Sequence, residues 1–243
     1  MTTSIDTTAH PGQAPTGGPV APSRIHPRSH RGPKATGSVQ VQYDSLERQH
    51  ATARLGMWVF LASESLLFAG LFALYAAYRF VYPVQFHAAS AHANLVIGTV
   101  NTYLLLTSSL TMALAIHATR RSHRRRTVAL LTATIALGLT FDVLKGIEYA
   151  GHLAEGLAPG GYYAFGALPA RGVVLYVTLY YLLTGLHALH VTGGLCVLGW
   201  LAVRAQRGDF TPRSHIALEL GGLYWHLVDL VWIFLWPLLY LIR

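Results

Sequence analysis

Cysteine, charge and acidity are all scarce in this chain. A single cysteine, Cys196, stands within a hydrophobic run. There is therefore no disulfide framework, no Cys-x-x-Cys pair and no Cys-x-x-Cys-His attachment for a covalent haem. Charged residues fill only 12% of the 243 positions, against about 25% in soluble domains, while hydrophobic residues fill 53%. That balance identifies a membrane protein. No proline interrupts the middle of a long apolar segment, since Pro237 lies near the end of the last one. No internal repeat stands out, which argues against the repeat-built folds of many transporters.

Aromatic residues are absent from Met1 to Ser38, where Pro, Gly, Ser, Thr, His and Arg dominate. Such a segment cannot bury enough apolar area to offset its ordering entropy. It also lacks the apolar core and small-residue cleavage site of a signal peptide. Residues 1–50 are expected to form a disordered cytoplasmic tail and residues 51–243 a membrane domain.

About twenty apolar residues are needed to cross a bilayer as a helix. Five segments qualify, near Leu55–Tyr78, Asn94–His117, Val128–Tyr149, Val173–Val203 and Leu218–Ile242. The expected fold is all-α, a polytopic bundle of five transmembrane helices. The net charge of +8 could suggest nucleic acid, but its distribution follows membrane topology. Arg24, Arg28, Arg31, Lys34, Arg48 and Arg54 precede the first span. The second loop carries Arg120, Arg121, Arg124, Arg125 and Arg126, and the fourth carries Arg204, Arg207 and Arg213. The opposite side has Arg79, Arg171 and Arg243. Fourteen basic residues against three put the N-terminus inside and the C-terminus outside.

Polar side chains within the spans carry the functional question, because an ionisable group near the bilayer centre must turn inward to partners. Glu64 lies near the middle of the first span, His187 and His190 share a face of the fourth, and His226 and Asp229 share a face of the fifth. All five are placed to meet in one mid-membrane layer. Asp142, Lys145 and Glu148 form a second stripe towards the outer side, in which Lys145 can neutralise one carboxylate. Asn101, Thr102, Thr107, Ser108, Ser109 and Thr111 of the second span can hydrogen-bond between helices. A di-metal centre would need Glu-x-x-His pairs, and no span contains one. The residues allow a bis-histidine haem pair, a proton-active carboxylate at Glu64, or hydrogen bonds that lock the bundle. Pattern alone ranks locking first and proton relay second.

Several segments resemble subunit III of the haem-copper respiratory oxidases, the cytochrome c and quinol oxidase group. They include Ser63-Glu64 with Phe68-Ala69-Gly70, Asn101-Thr102 with Ser108-Ser109 and His117-Ala118, and Glu148-Tyr149. Thr184-Gly185-Leu186-His187-Ala188-Leu189-His190-Val191 and Tyr224-Trp225-His226 through Val228-Asp229 to Val231-Trp232 complete the set. Five motifs occur in order, over about Leu55 to Ile242.

The resemblance implies a non-catalytic core subunit with no haem, copper or other metal of its own. Haem and copper would reside in partner subunits I and II. It further implies a phospholipid-binding protein of the bacterial inner membrane that packs beside subunit I and supports proton uptake, with Glu64 at the position of the family's carbodiimide-reactive glutamate. Family members often have seven spans, the first two set apart by a lipid-filled cleft, whereas this sequence has five. A similar five-helix protein accompanies nitric oxide reductases, which leaves that association as an alternative. A free-standing proton-coupled transporter is the third reading.

Overall fold

In the computed structural model, residues 46–91, 93–164, 171–212 and 214–241 are described. Most of the expected tail, together with Arg213, Ile242 and Arg243, lies outside them. The apolar segments form helices α1 (Leu46–Val81), α3 (Leu95–Arg120), α4 (Arg124–Ala154), α5 (Arg171–Arg207) and α6 (Ile216–Trp236). A shorter helix, α2 (Pro83–Ser90), lies between α1 and α3. Five helices are long and apolar enough to cross a membrane. The helix α1 starts at Leu46, inside the segment assigned to the tail.

Local chemistry sets the helix ends. Asn94 caps α3, its side-chain oxygen accepting from the amides of Val96 and Ile97 at 3.1 Å each. Two amides that would otherwise lack a partner are satisfied in this way. Pro83 opens α2, where a missing N–H costs nothing. At the end of α5, Gly208 adopts φ +84°, and the Asp209 amide reaches back to the Arg204 carbonyl at 3.1 Å. That left-handed turn suits glycine and closes the helix. Pro237 cannot donate an amide hydrogen, and the chain continues from it as a wider π-helical turn, Pro237–Leu241. The turn carries Leu239 and Tyr240 into full burial.

Helices α3, α4, α5 and α6 pack in a closed ring, each against the next, with α1 leaning on α5 and α6 and α2 lying along α5. Trp225 and Trp232 of α6 fill the ring's centre and are fully buried. Each indole N–H donates to α3: Trp225 to Ser108 Oγ at 3.0 Å, Trp232 to Thr102 Oγ1 at 3.1 Å. Two glycines make room for Trp225. A Cβ on Gly138 of α4 would lie 2.8 Å from the indole, and one on Gly194 of α5 would lie 2.9 Å from it. Close approach of helix backbones through small residues is how membrane bundles gain packing energy.

Candidate functional site

Glu64 of α1 and His190 of α5 meet near the middle of both helices. Glu64 Oε2 lies 3.0 Å from His190 Nε2. The other ring nitrogen, Nδ1, is 2.7 Å from the Leu186 carbonyl, which can only accept, so Nδ1 carries a hydrogen. A hydrogen bond at Nε2 then needs one proton, which either group could supply. A neutral imidazole accepts it from the carboxylic acid, or an imidazolium donates it to the carboxylate. The pair is neutral as a whole in both. Phe68 packs edge-on against the ring at 5.2 Å, and Tyr224 OH donates to the His190 carbonyl at 3.0 Å. Both side chains keep some exposure, 19% for Glu64 and 16% for His190, so the pair lies at the bundle's edge.

The other three residues of the expected layer have separate surroundings, and no hydrogen bond joins them to Glu64 or His190. His226 Nδ1 is 2.7 Å from Ser109 Oγ, tying α6 to α3. Asp229, one turn further along, faces the same serine, but neither carboxylate oxygen has a hydrogen bond of good geometry. His187 is fully buried between Phe141 and Trp232, with ring centroids 5.6 and 5.1 Å away, and neither ring nitrogen has a partner.

The Lys145 stripe builds a tighter site near the Pro237 turn. The Lys145 ammonium donates to Glu148 Oε2 at 2.8 Å, to Tyr180 OH at 2.9 Å and to Tyr240 OH at 2.6 Å, using all three hydrogens. Tyr240 in turn donates to Glu148 Oε1 at 2.9 Å. The rings of Tyr149, Tyr180, Trp232 and Tyr240 surround the ammonium at 4.8 to 5.4 Å. Lys145 and Glu148 are 2% and 4% exposed, so the ion pair is sealed from solvent. Fully used donors and an aromatic cage favour a fixed charge here over a mobile proton. Asp142 stands apart from this cluster and accepts from Thr192 Oγ1 at 3.2 Å.

Sequence reasoning missed Tyr180 and Tyr240, whose partnership with Lys145 spans up to 95 residues. It also missed Glu219. That carboxylate accepts from Arg120 at 2.8 Å and Arg54 at 3.2 Å and lies 3.0 Å from His215 Nε2, binding α1 and α3 to α6 at the arginine-rich end. A lone acid in the first turn of α6, among so many arginines, was the available signal. Among the described residues no group of three or more His, Cys, Asp or Glu side chains could hold a metal ion.

Residues 42–242 match the family described as Cytochrome c oxidase subunit III. A cytochrome c oxidase subunit 3 from Synechocystis is 35% identical over 77% of this chain and 74% of its own length. A probable cytochrome c oxidase subunit 3 from Mycobacterium tuberculosis is 33% identical over 82% and 92%. The corresponding protein of Alkalihalophilus pseudofirmus is 31% identical over 77% and 85%.

Proposed function

The chain belongs to the cytochrome c oxidase subunit III family, and on that footing we propose that it is a core subunit of a proton-pumping haem-copper terminal oxidase. It carries no redox centre and packs beside subunits I and II, which hold the haem and copper. Its arginine-rich end faces the cytoplasm, in the inner membrane of a bacterial-type cell, with phospholipid at its apolar faces.

The Glu64–His190 contact carries the proton-uptake part of this reading. A carboxylate and an imidazole at mid-depth hold one proton at the edge of the bundle. The proton can shift between them without placing net charge in the hydrocarbon, where charge is costly. The Ser109–His226 link ties α3 to α6, and the Lys145 cluster ties α4 to α5 and the Pro237 turn, so both serve as bundle locks.

Mild-detergent purification of the tagged chain from its native membrane, with mass spectrometry and an absorption spectrum, tests this function. The expected result is co-purification with haem-copper subunits I and II and oxygen reduction by the preparation. Stoichiometric haem, copper or iron on the isolated chain would overturn the reading. A nitric oxide reductase partner would select that association instead. A colourless, solitary chain that drives Glu64-dependent proton flux in proteoliposomes would establish a transporter.

A further inference from the structure

At the arginine-rich end, the turn between α3 and α4 and the turn between α5 and α6 wall a cavity of about 230 Å³. Its buried side is a hydroxyl pair, Thr119 and Thr127, 3.0 Å apart. Ser122, Arg124 and Thr211 also line it, and no carboxylate does. The hydrogens of the buried pair are committed. Thr119 donates to the Ala115 carbonyl at 3.0 Å, and Thr127 has Thr119 and the His123 carbonyl as acceptors. The other donors are not. Thr211 Oγ1 accepts from the Ser214 amide at 3.1 Å and keeps its own hydrogen. Neither the Ser122 hydroxyl nor the Arg124 guanidinium has an acceptor among the described residues. Arg124 reaches across to the far turn, where a Cβ on Gly208 would lie 3.4 Å from its Nη1. Nearby acids are engaged elsewhere: Asp209 holds Arg204 at 3.1 Å, and Glu219 holds Arg54, Arg120 and His215. The first turn of α4 borders the cavity too, with no acidic residue and no side-chain cap to offset its partial positive charge.

Exposed arginines beside a span ordinarily set topology. Arg124 differs because it shares a walled space with two uncommitted hydroxyls and with nothing negative. Donors from two separate turns suit an acceptor that carries several oxygens, and a guanidinium pairs with phosphate through parallel hydrogen bonds. We propose that Arg124, Ser122 and Thr211 bind a phosphate group between the α3–α4 and α5–α6 turns. On its other side Arg124 borders a groove with Val128 and Ala129, one turn deeper along α4. The phosphate is thus that of a lipid whose chain follows the groove, or that of a soluble ester, and the two bind through the same donors. The assignment rests on these side chains and not on the oxidase reading.

The test uses the tagged full chain, purified with whatever subunits accompany it and stripped of loosely held lipid. It is titrated with phosphatidylglycerol in mixed micelles and, separately, with inorganic phosphate. Native mass spectrometry counts bound lipid, and equilibrium dialysis with a radioactive label counts bound phosphate. Saturable binding of at least one probe is expected. Arg124→Gln should weaken it roughly tenfold or more, as loss of a hydrogen bond to a charged group does. Thr211→Val should weaken it by a smaller factor. Arg126→Gln removes the same charge from the same exposed turn without touching the cavity wall, and should leave the affinity unchanged. Saturation by the lipid alone would assign a headgroup as the source, and saturation by inorganic phosphate would assign a site open to soluble esters. No saturation by either probe, an affinity that survives Arg124→Gln, or equal weakening by Arg126→Gln would overturn the site. Each of these outcomes is read whether or not haem-copper subunits accompany the chain.

Discussion

The Glu64 carboxyl group and the His190 imidazole, 126 residues apart in the chain, meet at 3.0 Å. Because the Leu186 carbonyl fixes the His190 tautomer, glutamine at position 64 could still donate to Nε2 but could not release a proton.

Glu64→Gln should therefore assemble at the wild-type level while proton uptake during turnover slows. Glu64→Ala should in addition loosen the hold of α1 on α5, by roughly 0.6 kcal/mol on the average for hydrogen bonds in membrane bundles. Complex yield in mild detergent and proton uptake in reconstituted vesicles separate these effects. Equal behaviour of the two variants, both with full activity, would remove any role for this side chain.

Lys145 and Glu148 should be far more sensitive, because removing one partner strands a sealed charge. Lys145→Met or Glu148→Gln alone should cost about 3–5 kcal/mol. The double variant should recover a good part of that loss, since no lone charge remains. Thermal unfolding midpoints in detergent for the four members of the cycle would measure the coupling, and strictly additive losses would refute it.

Glycines divide into two groups by what surrounds them. Gly138→Ala should cost about 1–3 kcal/mol, because its methyl group would sit 2.8 Å from the Trp225 ring. Gly146→Ala, on the same helix with nothing within 4 Å, should be neutral or stabilising. Unfolding midpoints that fall equally in both variants would show that Trp225 is not clasped as described.

Topology can be read with membrane-impermeant thiol reagents in a Cys196→Ala background. Ser122→Cys, in the turn between α3 and α4, should label only from the cytoplasmic side, and Gly161→Cys only from the opposite side. The reversed pattern would invert the proposed orientation.

The spans were legible because a twenty-residue apolar run can do little else in water or lipid. The eight-residue α2 was not, since its Pro83-Val84-Gln85-Phe86 start is too short to show a helical period. Glu64 and His190 could be placed at one depth from spacing alone, but their contact needed α1 to lean on α5. Nor could spacing separate His226, which found Ser109, from the Glu64 layer. Lys145 announced itself as a buried charge, while its cage of Tyr180 and Tyr240 depended on how α5 and the Pro237 turn close over α4.

The Pro237 turn has a consequence for the order in which the molecule is made. Tyr240 hangs on that turn and is synthesised 95 residues after Lys145, the cation it helps to cage. In a nascent chain the lysine of α4 has only Glu148 and the Tyr149 ring beside it, Tyr180 becomes available with α5, and the full cage is possible only once Tyr240 has been made. That end of the bundle can close only after the Pro237 turn has been made, and a chain ending before Tyr240 would leave one donor of the Lys145 ammonium without its partner.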